Sequence, residues 1–341
     1  MTHPVNIQSA FISEVRKQLP PNVSLADMLA EMLGVSRDSA YRRIRCETVL
    51  SLDEVKKISS QLPVSLDMLL ESSSRLVAFQ SRASGGDAQC LHEWFTTFLT
   101  HLNSVNNASD KHIFTMTRDL PVFHYFQHPG LAAFKIYFWL RTAQHTQRQS
   151  PVFSADVIPK ELLSKARKIW EHYQGIPSTE IWSIESGLIT LRQIEYCHDC
   201  GFFSDPEEVQ TILDQYEQIL DGLQTGCAAG TKGELNRPFH LYLDEMMITG
   251  NTLLFKMEQK RIAFLRHDID GMLLSSQDSF CNHEERRIKD LISKASLIST
   301  SGEKERIRFF SAVRDRIAET RSKTCDGIRV SFISPPMRRQ A

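Results

Sequence analysis

The chain has 341 residues, enough for two domains that each bury a core without disulfide staples. With 41% hydrophobic and 24% charged residues its composition is that of an ordinary globular protein, which excludes a disordered or fibrous chain. A formal net charge of -1 excludes a polycation that holds nucleic acid along its whole length, so any such role has to sit in a local patch.

The seven cysteines are scattered without framework spacing, and no basic-then-apolar secretory signal opens the sequence; a cytoplasmic protein is expected. The most apolar run, LAAFKIYFWL at 131–140, falls well short of the roughly 20 residues that cross a bilayer, and it contains Lys135. It reads as a buried helix, and no membrane partner is expected.

From residue 6 to 71, helix signals recur at short intervals. NIQSAFISEVRKQL sets Ile7, Phe11, Val15 and Leu19 on one face and ends at Pro20 and Pro21. Ser24 with Asp27 forms a capping-box pattern before Leu25, Met28, Leu29, Met32 and Leu33, and Gly34 closes that segment. Ser36 caps a third helix, Ser51 with Glu54 opens a fourth that Pro63 stops, and Ser65 opens a short fifth, SLDMLLE. A five-helix domain is expected over 1–72, followed by a linker over 73–90 that contains the small, polar SRASGGDAQ.

The remainder, 91–341, is expected to be a mainly helical regulatory and oligomerisation domain with a short sheet near 239–268. LHEWFTTFLTHLNSV is helical by spacing, and HIFTMTRDLPVF can hold a short strand before Pro121. PKELLSKARKIWEHYQGIP, IESGLITLRQIEYCHDCG and DPEEVQTILDQYEQILDGL each carry plausible caps. FHLYLDEMMIT, TLLFKME and RIAFLRHD read as a three-strand meander, and EERRIKDLISKASLI and GEKERIRFFSAVRDRIAETR return to helix. The fold class is therefore mainly α, as a helical bundle followed by an α+β region.

The informative motif is GVSRDSAYRRIRCE at 34–47. A helix-turn-helix needs a small residue where its helices cross, a turn glycine and apolar anchors; Ala30, Gly34 and the set Leu29, Leu33 and Val35 fill these places. Projected at about 100° per residue, Ala40 and Ile44 face inward, Asp38, Arg42 and Arg45 face out, and Ser39 and Arg43 lie beside them. Residues 37–45 hold four arginines and one aspartate, a local charge of +3 in a chain that is neutral overall. Such an arginine face suits guanine edges or phosphates. Asp38 can accept from a cytosine amino group or pair with Arg42 four residues on. The competing reading is an amphipathic helix with a solvated basic face.

LAEMLGVSRDSAYRRI, within Ser24 to Leu70, resembles the lambda-repressor-like, Xre-type helix-turn-helix family. That resemblance implies a five-helix bundle that binds double-stranded DNA sequence-specifically, usually as a dimer on a palindromic site. It also implies a phosphate contact at Ser36 and base reading at Arg37, Asp38, Ser39 and Arg42; by their place on the basic face, Arg43 and Arg45 are further DNA-binding candidates. The chain departs from the family in two places: the expected aliphatic position is Arg43, with Ile44 one later, and Cys46 stands where many members have glycine. RDLPVFHYFQHPGLAAFKIYFWL and KASLISTSGEKERIRFF resemble stretches of uncharacterised bacterial regulators that join this bundle to a long C-terminal region.

Other constellations carry less. Cys197 and Cys200 have zinc spacing, and Cys281 with His283 can complete a set, but Gly201 suggests an ordinary helix end. His267, Asp268 and Asp270 suggest a metal-dependent phosphohydrolase only if placed on a helix, whereas they follow a strand pattern. His240 with Asp244 and Glu245, and His283 with Glu284 and Glu285, read as solvated. The aromatics from Phe123 to Trp139 read as core, with a small-molecule pocket or dimer interface as the other option. Residues 303–339 carry ten Lys or Arg against five Asp or Glu, which can touch phosphates or form salt-bridged helix faces. With no phosphate loop and no GxSxG elbow, neither an enzyme nor a cofactor is expected.

The function expected is a nucleoid-associated transcriptional regulator that acts as a homodimer, with a small-molecule or protein effector left open. Two alternatives remain: a protein-interaction module of the same fold, and a C-terminal metal-dependent hydrolase tethered to a DNA-binding domain.

Overall fold

In the computed structural model the described residues are 6–19, 23–62, 64, 77–81, 88–143, 152–245, 250–266 and 272–325. The chain divides into two compact units, 1–78 and 79–341. Each has its own core.

The first unit contains α1 (Ile7–Lys17), α2 (Leu25–Leu33), α3 (Arg37–Ile44) and α4 (Leu52–Gln61). Side-chain caps start all four: Asn6 accepts from Gln8 N, Ser24 from Asp27 N, Ser36 from Ser39 N, and Ser51 forms a full capping box with Glu54. Their apolar stripes converge on a core of Phe11, Ile12, Val15, Leu25, Leu29, Leu33, Ala40, Leu50, Val55, Ile58 and Val64. The fifth helix expected at 65–71 lies outside the described residues. So does most of the expected linker, of which 80–81 form a strand and 88–90 begin a helix.

The second unit is α+β. In chain order it runs β1 (Gln80–Ser81), α5 (Ala88–Asn107), β2 (Lys111–Thr117), α6 (Val122–Tyr125), α7 (Pro129–Ala143), α8 (Lys160–Gln174), β3 (Ser178–Ser183), α9 (Leu188–Asp199) and α10 (Pro206–Ala229). It continues through β4 (Thr231–Lys232), β5 (Arg237–Asp244), β6 (Thr252–Met257), β7 (Lys260–Arg266), β8 (Met272–Ser275), α11 (Asp278–Ile292), β9 (Ser296–Leu297) and α12 (Glu303–Cys325). Among the described residues the strands form one nine-stranded sheet in the order β1-β8-β7-β6-β2-β3-β5-β4, with β9 also on β5. β2, β3 and β5 are parallel; β6, β7 and β8 are an antiparallel run joined to β2.

The period-two alternation of β2 separates two cores. Ile113 faces the large one, built with α5 to α10 and α12, whereas Phe114 and Met116 face a smaller one under α11. Covering both faces is what a parallel sheet requires, because its crossover helices pack there.

Three expectations are corrected. The sheet is not confined to 239–268, since β2 and β3 form part of its centre. The first strand of the expected meander pairs instead with β3, and the meander is β6, β7 and β8. The helix expected through KASLI stops at Ile292, and Ser296–Leu297 pairs with Leu243 and Tyr242 of β5. Among the described residues, no helix is long and apolar enough to cross a membrane.

Candidate nucleic-acid interface

The α2–α3 turn is built as its sequence requires. Gly34 adopts φ +69°, the left-handed conformation that closes α2, and Val35 N donates to Ala30 O at 3.1 Å. Ser36 is extended and its Oγ accepts from Ser39 N at 3.2 Å, which starts α3 at Arg37. Ala40 is completely buried, and Ile44 packs against the same core from its edge.

With that inward face pinned, Arg37, Asp38, Tyr41, Arg42 and Arg45 are exposed, as is Ser36; Ser39 is half-buried. Arg37 Nε pairs with Asp27 at 2.9 Å, Arg42 Nε with Asp38 at 3.3 Å, and Arg45 Nη1 with Glu47 at 3.5 Å. All three pairs are solvated, and such pairs are worth about 0–1 kcal/mol, so exchanging a carboxylate for a phosphate costs little. The Arg37 guanidinium also lies 5.9 Å from the centre of the Tyr41 ring.

Arg43 stands apart. It is half-buried, its Nη2 reaches Glu54 at 2.7 Å and its Nη1 donates to Ser39 O at 3.2 Å. Hydrogen bonding to Arg43 holds the Glu54 carboxyl below its ordinary pKa against the opposing effect of burial. Arg43 thus ties α3 to α4, while Ile44 supplies the apolar anchor.

Two contributors escaped sequence reasoning. Tyr41 lies on the exposed stripe one turn from both Arg37 and Arg45, a placement the helical projection could have revealed. Gln8 of α1 donates to Arg43 O at 2.9 Å and Thr48 O at 2.8 Å and accepts from Leu50 N at 2.9 Å, clamping the end of α3. No local pattern announces such a long-range contact.

The remaining constellations resolve differently. Among the described residues, no group of three or more His, Cys, Asp or Glu is placed to hold a metal ion. Cys197 is buried in the large core, where burial pushes its thiol up to about 12, while Cys281 sits in the core beneath α11 and donates to Ser275 O. His267, Asp268 and Asp270 lie outside the described residues. Asp244, Glu284 and Glu285 are buried rather than solvated; Glu284 pairs with Arg287, and Glu285 with Arg261 and Lys289. The aromatics from Phe123 to Trp139 are core, although Phe123, Tyr125 and Trp139 also line a cavity. The basic residues of α12 are largely engaged: Arg314 with Asp221, Arg316 with Glu195, Arg321 with Asp214 and Glu217.

No protein-family model matches the chain, and no curated protein matches it. A solved structure of TrmBL2, described as an archaeal chromatin protein with a novel mode of DNA binding, aligns over 84% of this chain and 80% of its own at 10% identity, with a TM-score of 0.24. A superposition that loose carries no argument.

Proposed function

We propose that the chain is a sequence-specific DNA-binding transcriptional regulator, cytoplasmic and nucleoid-associated, in which α3 enters the major groove. The second unit serves homodimerisation and effector sensing, and no enzymatic activity is part of this reading. What supports it is a single arrangement: Ala40 and Ile44 pin one face of α3 while Arg37, Asp38, Tyr41, Arg42 and Arg45 project from the other. In a helix-turn-helix that outward face meets base edges, and the capped N-terminus at Ser36 meets phosphate. Arg43 is assigned to holding the bundle together.

Selection from a random duplex pool tests the reading. A single enriched motif with two half-sites is expected, and Arg42→Ala with Arg45→Ala is expected to abolish specific binding without unfolding the bundle. Absence of any enriched sequence would indicate a protein-interaction module instead.

A further inference from the structure

Thr115, in the middle of β2, is 3% exposed, and its hydroxyl finds no hydrogen-bond partner among the described residues. Buried hydroxyls are rarely left unpaired, so this one is available to a polar group that enters from outside the chain. It also lines a cavity. That cavity, of about 110 Å³, lies at the carboxyl end of β2, the end of a parallel strand at which open sheets commonly receive ligands. Its walls are mostly apolar and aromatic, with Leu91 and Trp94 of α5, Leu120, Phe123 of α6, Trp139 of α7 and Met272 of β8. Cavities of comparable size, roughly 150 Å³, accept a benzene-sized molecule.

The charged side chains of the lining are engaged with the protein itself. Lys135 spends its ammonium donors on Asp119 at 3.0 Å, Thr190 at 3.0 Å and Gln193 at 2.8 Å. Asp119 accepts from Lys135 and from Tyr125 Oη at 2.6 Å, so the charges of this ion pair cancel within the wall. Arg266, exposed at the end of β7, takes part in an interaction of its own. An ion entering here would shed its water with no counter-charge set aside to receive it, whereas a neutral ring gives up little hydration.

We propose that this cavity binds a small neutral aromatic molecule carrying a single hydrogen-bonding group, of which phenol is the simplest, with the ring among the apolar walls and the polar group on the Thr115 hydroxyl. The inference rests on the sensing role proposed above and gives it a site and a ligand class.

Calorimetric titration of the full chain with phenol, toluene and benzoate tests it; being free of DNA, its failure leaves the DNA-binding reading untouched. Phenol is expected to saturate a single site, to change tryptophan fluorescence through Trp94 and Trp139, and to bind at least about tenfold tighter than benzoate, whose charge would be buried without a partner. Phenol loses more hydration than toluene on entry, so the Thr115 contact is read from a variant and not from the ranking of those two compounds. The near-isosteric Thr115→Val is expected to weaken phenol about three- to tenfold and to leave toluene within about twofold of its wild-type affinity. Circular dichroism checks that the variant remains folded, and the discrimination between phenol and benzoate by the wild type is a test that needs no variant. Benzoate bound as tightly as phenol overturns the assignment. So does absence of saturable phenol binding up to about 10 mM, within reach of a modestly efficient ligand of this size, or a folded Thr115→Val chain in which phenol keeps its affinity or loses it in step with toluene.

Discussion

Arg42 and Arg43 are adjacent in sequence and do different work. Arg42 is solvated beside Asp38, whereas Arg43 is half-buried between Glu54 and Ser39 O. Arg43→Ala is therefore expected to destabilise the bundle by about 1–2 kcal/mol, the cost of leaving a half-buried carboxylate without its charged partner. Arg42→Ala should change stability by less than about 0.5 kcal/mol yet weaken duplex binding; urea melts alongside binding titrations separate the two. Cys46, just beyond α3, has φ +61°, a left-handed conformation that disfavours any side chain. Cys46→Gly should raise the urea midpoint, by up to about 1 kcal/mol of stability. His112 on β2 is lowered from 6.5 to about 4, first by burial and then by Lys232 and His240. Its unfolded form binds the proton more readily, so the stability tied to neutral His112 is present above pH 6.5 and lost as the pH falls toward 4. That loss amounts to at most roughly 3 kcal/mol, and His112→Gln should flatten the acid side of a stability-versus-pH curve.

At the scale of the element, β3 shows why strands resist reading from sequence. Every residue of STEIWS is buried, because helices and neighbouring strands enclose it, so no period-two pattern appears. At its centre Glu180 is wholly buried and meets His124 Nε2 at 3.0 Å and Trp182 Nε1 at 2.8 Å, and Tyr173 Oη also donates to it. Burial would raise the Glu180 pKa, but His124, Lys232 and Tyr173 together hold it below the ordinary value. Loss of His124 takes one of several hydrogen-bond partners from a buried carboxylate, so His124→Leu should cost about 1–3 kcal/mol in calorimetric or denaturant unfolding. α12 makes the complementary point. Its arginines face acidic residues of α9 and α10, and Arg306 is buried, donating to Ile298 O at 2.7 Å. A basic composition there is mostly a means of docking one helix on two others.

For the whole molecule, a formal net charge of -1 means that long-range attraction to DNA has no global source. Salt dependence should then count only local contacts. If Arg37, Arg42 and Arg45 each neutralise one phosphate, the slope of log affinity against log salt should be about -2.7 per protomer and about -5.4 for a dimer. Arg42→Ala should reduce it by about one per protomer, whereas Arg314→Ala, already paired with Asp221, should leave it unchanged. Much of the first unit was legible because its determinants are local: caps at Ser24, Ser36 and Ser51, the left-handed Gly34, and apolar residues at helical spacing act within one or two turns of chain. The helices of the second unit were legible for the same reason. The sheet order was not, since β5 reads like the start of a meander and its partner β3 lies across two helices in sequence. The fate of each arginine, the clamp by Gln8, and the joining of Thr115, Lys135 and Arg266 around one cavity were decided by tertiary structure alone, because those contacts link residues that chain-local physics never brings together.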